Sequence, residues 1–219
     1  MRPFLRSLRK TYRRWKGASP PIVACTAELQ AVLETLGPGD IAVDCGANIG
    51  EVTEVLAWRG ATVHAFEPNP HAFYALKHRF RFRRNVVCHQ KAVSTQDGSV
   101  SLFMHRQSDE NPLYWSTGSS LLAEKGNVDS SRPVTVNAID LTRFIRLLPG
   151  PVTVLKLDVE GAEVDILESL INDAATLEKV RHVLVETHDG KIPSLIEPMR
   201  VLRERIAKQG LEKIRLDWH

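Results

Sequence analysis

The stretch from Ile41 to Gly50 reads Ile-Ala-Val-Asp-Cys-Gly-Ala-Asn-Ile-Gly and predicts a strand, a tight turn and the start of a helix. The apolar residues from Ile41 to Val43 are typical of a strand that is buried between helices on both faces of a sheet. Asp44 closes this strand with a carboxylate, and Gly46 and Gly50 allow the backbone to turn sharply and approach a ligand. Open α/β sheets bind ligands at the carboxyl ends of such strands, so the stretch predicts a nucleotide-type site.

The turn differs from the dinucleotide fingerprint G-x-G-x-x-G, which would need glycines at positions 48 and 51. Asn48 and Glu51 stand there. A carboxylate in the first helical turn would repel a pyrophosphate held by the free N–H groups. A phosphate-free cofactor with a cationic centre fits better, and S-adenosylmethionine is such a molecule. Asp44 would accept hydrogen bonds from its amino group, and the helix N-terminus would hold its carboxylate. The alternative is a tight turn that binds no ligand.

Composition favours one soluble globular domain. Of the 219 residues, 43% are hydrophobic and 25% are charged, which is typical of a chain with a sizeable core. No uninterrupted apolar run is long enough to cross a bilayer. Three scattered cysteines, Cys25, Cys45 and Cys88, are too few for a disulfide framework and favour a reducing, cytoplasmic location.

The charge is concentrated at one end of the chain. The first sixteen residues hold seven of the 29 basic residues and no acid, which leaves 22 basic against 26 acidic residues in the remainder. This mildly acidic body lacks the broad positive patch that duplex binding normally needs, so we expect no nucleic-acid partner.

Residues 1–21 are predicted to form a basic arm and linker, and residues 22–219 the single domain. As a helix, residues 1–16 would place the apolar side chains of Phe4, Leu5, Leu8, Tyr12 and Trp15 on one broad face. Such a segment can lie on an anionic membrane surface or bind an acidic partner. The alternative is an accessory helix packed on the body, or a frayed arm.

Beyond the turn, apolar strand-like segments alternate with segments that are apolar on one helical face. The predicted strands lie at 61–66, 85–89, 152–157, 180–185 and 214–216. The predicted helices lie at 26–36, from 49, at 70–80, at 141–148, after 163, and around Pro198. An edge strand at 100–104 is expected to pair with a strand at 133–137, as a small β insertion around the long segment 105–132. The alternation predicts an α/β fold with a doubly wound, mostly parallel sheet.

An acidic residue follows the second strand, at a distance from the glycine turn that is typical of adenosine-binding sites. Glu67 lies 21 positions after Gly46, where a carboxylate can accept hydrogen bonds from both hydroxyls of a ribose. Nicotinamide and S-adenosylmethionine enzymes share this spacing, so it predicts an adenosine without deciding which one. The alternative is an ordinary solvated carboxylate.

Two later strands also end in polar residues. Asp158 and Glu160 follow the strand at 152–157, and Glu186, His188 and Asp189 follow the strand at 180–185. In a doubly wound sheet these side chains converge beside the cofactor, where they can act as a general base, as hydroxyl ligands or as metal ligands. The alternatives are helix capping for the acids and a surface histidine.

Among these groups we expect His188 to be the base, because its unperturbed pKa lies nearest neutrality. Glu186 is expected to orient His188, and Asp158 to position the reactants. No metal is expected to be required.

Five motifs occur in order along the chain: Val-Asp-Cys-Gly-Ala-Asn-Ile-Gly at 43–50, Ala-Phe-Glu-Pro-Asn-Pro at 65–70, Lys-Ala-Val-Ser at 91–94 with Asp-Gly at 97–98, Gly-Ser-Ser-Leu at 118–121, and Leu-Lys-Leu-Asp-Val-Glu-Gly-Ala-Glu at 155–163. Together they cover roughly residues 39–189 and resemble the FkbM family of S-adenosylmethionine-dependent methyltransferases. The resemblance implies a Rossmann-like class I methyltransferase fold. It also implies methylation of a hydroxyl on a sugar, a glycolipid precursor or a secondary metabolite. Glu168 and Ser169 replace an Arg-Gly pair often seen in the family, and the basic arm lies outside the resemblance.

The expected site follows from the motifs and strand ends. The residues expected to bind S-adenosylmethionine are Asp44, Gly46, Ala47, Asn48, Gly50, Glu67, Pro68, Asn69, Ala92 and Asp158. The catalytic candidates are His188, Asp158, Glu160 and Glu186. The long segment 105–132 is expected to cover the acceptor site, with Tyr114 and Trp115 offering flat faces to a ring. Its alternative is a surface insertion without that role.

Two other functions stay open at this point. An N-methyltransferase acting on a similar small molecule would have the same cofactor half, and a non-catalytic scaffold would use the fold for assembly alone. A nicotinamide oxidoreductase is disfavoured by Asn48 and Glu51. The oligomeric state does not follow from the sequence.

Overall fold

The computed structural model describes residues 27–218. Its strands are β1 (Ile41–Cys45), β2 (Thr62–Phe66), β3 (Val86–His89), β4 (Ala92–Ser94), β5 (Gly98–Leu102), β6 (Val134–Asp140), β7 (Val152–Leu157), β8 (Val180–Val185) and β9 (Ile214–Arg215). Its helices are α1 (Ala27–Glu34), α2 (Glu51–Trp58), α3 (Pro70–Phe80), α4 (Leu141–Leu147), α5 (Glu163–Asn172), α6 (Ala174–Glu178) and α7 (Ile196–Lys208). The predicted arm, and the division at residue 21, lie outside the described residues.

Six strands form one parallel sheet in the order β3-β2-β1-β7-β8-β9. The chain builds outward from β1 through β2 to β3, and then crosses to the other side of β1 to add β7, β8 and β9. The strand order therefore reverses between β1 and β7, which pair side by side up to Cys45 and Leu157. Such a reversal opens a crevice at the carboxyl ends of the two strands.

Helices cover both faces of this sheet. Successive residues of β1 point to opposite faces, so Val43 packs in the same cluster as Leu167 of α5, while Ala42 packs with Leu33 of α1 and Leu56 of α2. All residues of β1 and β7 are buried. Burial on both faces explains why these strands are almost continuously apolar, and it confirms the predicted doubly wound α/β fold.

A second sheet of three strands, in the order β4-β6-β5, forms the predicted β insertion. Val100 of β5 lies opposite Val136 of β6 in an antiparallel pair, as expected from the sequence. β4 was not predicted. An isolated bridge from Phe103, directly after β5, to Ser120 ties the segment 105–132 to this sheet, and a second bridge, His105 to Val128, lies within the segment.

Most predicted boundaries hold to within two residues, although β6 ends three residues later than expected and α2 starts two residues later. Asn48 and Gly50 have φ angles of 48° and 86°, so helical geometry begins only at Glu51. Helix α6 was also not predicted. None of the helices within residues 27–218 is long and apolar enough to cross a membrane.

Candidate active site

A cavity of about 620 Å³ opens at the carboxyl edge of the large sheet, within the range of small-molecule sites. The turn after β1 and the ends of β2, β7 and β8 form its walls, and part of the segment 105–132 covers it. The predicted site residues that line it are Gly46, Ala47, Asn48, Glu67, Pro68, Ala92, Asp158, Glu160 and Glu186. Most of the residues that the sequence proposed for the site therefore line one cavity, and their roles stay predictions.

The turn after β1 packs directly against the backbone at the end of β7. Gly46 has a φ of 75°, and a Cβ at this position would lie 1.7 Å from the backbone oxygen of Asp158. The N–H groups of Gly46 and Ala47 both donate to the carbonyl of Phe66 at the end of β2. These contacts fix the turn between two strand ends and place the N-terminus of α2 beside the cavity.

Glu67 presents a buried carboxyl at the cavity wall. Its Oε2 accepts the N–H of Asn48 at 2.7 Å, and its Oε1 accepts the N–H of Asn69 at 2.7 Å. Burial raises the pKa of Glu67 to about 7, because the loss of solvation outweighs these two bonds. Each oxygen keeps a further lone pair for a ligand hydroxyl.

Lys156 is a site residue that the sequence reasoning missed. Its Nζ donates to the carbonyl of Gly46 and to Asp158 Oδ2, both at 3.0 Å, and lies 3.5 Å from Asp44 Oδ1. Burial opposes its charge, but the carboxylates of Asp158 and Asp44 outweigh that effect and raise the pKa of Lys156. The available signal was a lysine inside an otherwise apolar strand, since lysine is almost never fully buried unless it is paired.

Asp44 lies beneath the cavity surface and does not line it. The side chain is fully buried, and its Oδ2 accepts the hydroxyl of Thr53 at 2.6 Å. Its Oδ1 has no hydrogen-bond partner within the described part of the chain. The prediction that Asp44 binds the methionyl end of the cofactor stays a prediction.

Gly50 and Asn69, also predicted to bind the cofactor, do not line the cavity either. A Cβ at Gly50 would lie 2.4 Å from the ring of Phe80, so this glycine allows α2 and α3 to pack closely. The side chain of Asn69 caps α3 by accepting the N–H of His71 at 2.9 Å, and it donates to Ser119 Oγ at 3.1 Å. In this structure both residues support the wall of the site.

Asp158, Glu160, Glu186 and His188 converge at the ends of β7 and β8, whereas Asp189, expected to join them, pairs with Arg203 of α7 at 2.7 Å and does not line the cavity. His188 is fully buried. Its Nε2 lies 3.2 Å from Glu160 Oε2, 3.6 Å from Glu186 Oε1 and 3.7 Å from Asp158 Oδ1. The three carboxylates line the cavity, whereas the imidazole does not.

The orienting partner of His188 is Glu163 and not Glu186. Glu163 Oε1 lies 2.8 Å from His188 Nδ1, and the same carboxylate accepts the N–H of Gly161. Burial alone would lower the pKa of His188, but the hydrogen bond and charge of Glu163, with the charges of Glu160 and Asp158, raise it. The role of His188 as the base stays a prediction, because the imidazole lies behind the carboxylates that face the cavity.

The segment 105–132 contacts both Glu160, one of the carboxylates at the end of β7, and the cavity. Lys125 Nζ lies 2.6 Å from Glu160 Oε2, and the hydroxyl of Ser120 donates to the carbonyl of Glu160. Tyr114 lines the cavity and is 68% exposed. Trp115 instead stacks on His105, with ring centroids 4.3 Å apart, and is not part of the lining.

Helices on both faces of a parallel sheet, with a ligand-sized cavity at the point of strand reversal, define the Rossmann-like α/β class. Residues 44–206 match the family described as the methyltransferase FkbM domain. This match covers more than half of the chain, so the chain belongs to the FkbM family of methyltransferases.

Curated relatives agree with this family assignment. The hexuronic acid methyltransferase AglP of Haloferax volcanii is 27% identical, over 86% of this chain and 72% of its own length. The 31-O-demethyl-FK506 methyltransferase FkbM of Streptomyces tacrolimicus is 31% identical, over 70% of this chain and 67% of that protein. Methyltransferase 1 of Beauveria bassiana is 28% identical, over 68% of this chain and 65% of its own length. The chain therefore spans slightly less than two thirds of the Beauveria protein.

Proposed function

We propose that this protein transfers a methyl group from S-adenosylmethionine to a hydroxyl of a sugar, a glycolipid precursor or a secondary metabolite. The observation that carries the proposal is one cavity whose wall contains both Glu67, the residue expected to bind the ribose, and an acidic edge formed by Asp158, Glu160 and Glu186. Family membership supports the methyl transfer. The names of two relatives, a hexuronic acid methyltransferase and a 31-O-demethyl-FK506 methyltransferase, support an oxygen on such a molecule as the acceptor.

The described residues fit this cofactor in three places. Glu67 has lone pairs left for two ribose hydroxyls, and the first turn of α2 offers free N–H groups to a carboxylate. Asp44 Oδ1 lies beneath the cavity wall, 3.5 Å from Lys156 Nζ, and has no hydrogen-bond partner among residues 27–218, so it retains a lone pair for a ligand amino group. When bound, the cofactor supplies a methyl group on a positively charged sulfur.

The residues of the chain would then position the acceptor. Methyl transfer is an in-line displacement, so holding the hydroxyl against the methyl group supplies much of the rate. The carboxylates of Asp158, Glu160 and Glu186 can accept the hydrogen bond of that hydroxyl and take its proton. Tyr114, on the covering segment, offers a flat face to an acceptor ring.

Two measurements test the proposal. Calorimetric titration with S-adenosylhomocysteine should show binding to the wild-type protein, and Glu67→Ala should weaken it by roughly 1–3 kcal/mol because the ribose hydroxyls lose their buried acceptor. A screen of hydroxylated sugars and glycolipid precursors with labelled cofactor should then place the methyl group on oxygen. No binding of S-adenosylhomocysteine would favour a non-catalytic scaffold, and label on nitrogen would favour the N-methyltransferase alternative.

A further inference from the structure

We propose that Asp158, Glu160 and His188 bind a divalent cation, and that this ion in turn binds an acceptor oxygen. The cation site stands on its own geometry, whereas its role toward the acceptor rests on the proposed function. The proposal departs from the expectation, drawn from sequence, that no metal is required.

The spacing of the donor atoms fits a single ion. One donor from each of the three residues lies within 4.8 Å of the other two. An ion with bonds of about 2.1 Å places neighbouring octahedral ligands ~3.0 Å apart and opposite ligands ~4.2 Å apart. The separations of Nε2 from Glu160 Oε2 and Asp158 Oδ1, 3.2 and 3.7 Å, lie between these limits.

The ring of His188 provides an independent observation. Its Nε2 is buried and has no hydrogen-bond partner among the described residues, although carboxylate oxygens surround it. Its other nitrogen, Nδ1, is paired with Glu163 at 2.8 Å. If Nδ1 donates to Glu163, the lone pair of Nε2 points at the oxygens of Asp158 and Glu160. Lone pairs repel one another unless a cation lies between them, and a carboxylate behind the second ring nitrogen is typical of metal-binding histidines.

The side chains around the proposed ion site carry a net negative charge of two. The carboxylates in and around the cluster are Asp44, Asp158, Glu160, Glu163 and Glu186, and the ammonium groups paired with them are Lys125, Lys156 and Lys191. With His188 as a neutral ligand, five negative against three positive charges leave a deficit that one divalent ion would neutralise. Lys156 contacts Asp158 Oδ2 and leaves Oδ1 for the ion, whereas Glu160 Oε2, which lies 2.6 Å from Lys125 Nζ, would be shared between that ammonium group and the ion.

The donor set favours Mn²⁺. Carboxylate oxygens suit Mg²⁺ and Mn²⁺, whereas an imidazole nitrogen suits transition metals, so the mixed set fits Mn²⁺ better than Mg²⁺. Asp158 and Glu160 also line the cavity, so an ion held between them would have positions left for a substrate. Two adjacent oxygens of a sugar diol could occupy such positions, which predicts a preference for acceptors with vicinal oxygens.

The direct test uses untagged full-length protein that has been treated with a chelator. Calorimetry and electron paramagnetic resonance with Mn²⁺ should show about one ion per chain. His188→Gln and Glu160→Gln should each weaken Mn²⁺ binding at least tenfold, whereas Glu204→Gln, which removes an exposed carboxylate on α7, should leave it unchanged. Because an ion that binds only the folded state stabilises that state, Mn²⁺ should also raise the melting temperature of the wild type, a readout that needs no variant. Absence of Mn²⁺ binding at millimolar concentrations, or equal binding by all variants, would overturn the proposal.

Titration of the same samples with S-adenosylhomocysteine separates this proposal from the proposed function. Cofactor-product binding without Mn²⁺ binding, together with methyl transfer that survives the chelator, removes the cation site and keeps the methyltransferase. Mn²⁺ binding with neither product binding nor methyl transfer keeps the site and removes the function. Methyl transfer that stops with chelator and returns with Mn²⁺ supports both.

Discussion

Glu67 is a carboxyl group whose ionisation is set by its burial. Its pKa of about 7 means that an appreciable fraction of the ligand-free protein carries a protonated Glu67 at neutral pH. The ionised form accepts ligand hydroxyls better than the protonated form does. The folded state also holds this proton more tightly than the unfolded state, so the contribution of Glu67 to stability falls as pH rises from about 4.5 to about 7 and is constant above that.

We therefore expect affinity for S-adenosylhomocysteine to rise with pH and to be roughly tenfold weaker at pH 6 than at pH 8, by the linkage between ionisation and binding. Calorimetry at both values measures the difference. Glu67→Gln is the matched control, because it keeps the shape of the side chain and cannot ionise, and its affinity should vary much less over this range. The same pH dependence in both proteins would assign it to another group.

Gly46 permits the closest approach in the site. Gly46→Ala should lower the free energy of unfolding by about 2 kcal/mol or more, because the residue has a positive φ and the new Cβ meets the backbone of Asp158. Urea unfolding measures the change. Gly150→Ala serves as the control, since its Cβ would find only ordinary contact with Ile41 at 3.7 Å. Equal stability of the two variants would contradict this account of the turn.

At the scale of elements, apolar continuity was the strongest signal in the sequence. β7 and β8 were predicted with the boundaries that the structure has. β7 is buried throughout and β8 except at Arg181 and His182, and burial on both faces of a sheet requires a nearly continuous apolar run. β4 was missed because three residues contain too little periodicity to distinguish a strand from a loop. The start of α2 was placed too early because the φ angles of Asn48 and Gly50 depend on packing against neighbouring elements.

The same limit applies to the candidate site. The residues at strand ends could be predicted, since the carboxyl ends of parallel strands share one edge of the sheet. The side chains from other parts of the chain that contact these residues could not be predicted. Glu163, the first residue of α5, holds His188, and Lys125, from the covering segment, pairs with Glu160. Their spacing in sequence gives no sign of these contacts.

Tyr114 and Trp115 of the covering segment were both expected to contact an acceptor ring, but only Tyr114 lines the cavity. Tyr114→Ala should raise the Michaelis constant for a ring-containing acceptor several-fold, because a flat contact in the cavity is lost, and should leave S-adenosylhomocysteine affinity unchanged. Trp115→Ala should instead loosen the segment, because it removes the stack on His105. Steady-state kinetics, combined with limited proteolysis between residues 105 and 132, distinguishes the two effects. An unaltered acceptor constant in Tyr114→Ala would remove this residue from the acceptor site.

At the scale of the whole molecule, the charge separation between arm and body calls for its own test. Deleting residues 1–16, which lie outside the described residues, should leave turnover of a water-soluble acceptor intact. It should abolish any salt-sensitive binding to vesicles that contain anionic lipid, because the deletion removes seven basic residues. Sedimentation with such vesicles at low and high salt measures this. Full-length protein that ignores anionic vesicles at low salt would rule out the membrane role.

The contact between Gly46 and Asp158 also determines when the site can form during synthesis. The glycine turn lies early in the chain, yet its carbonyl is held by Lys156, and the N–H of Asp158 donates to the carbonyl of Cys45. These partners lie more than a hundred residues downstream, and such distant contacts close late in folding. A nascent chain whose β7 has not yet emerged from the ribosome therefore contains the complete glycine motif but lacks the contacts from Lys156 and Asp158 that hold the turn in place. A fragment that ends before Val152 should be unable to hold the cofactor.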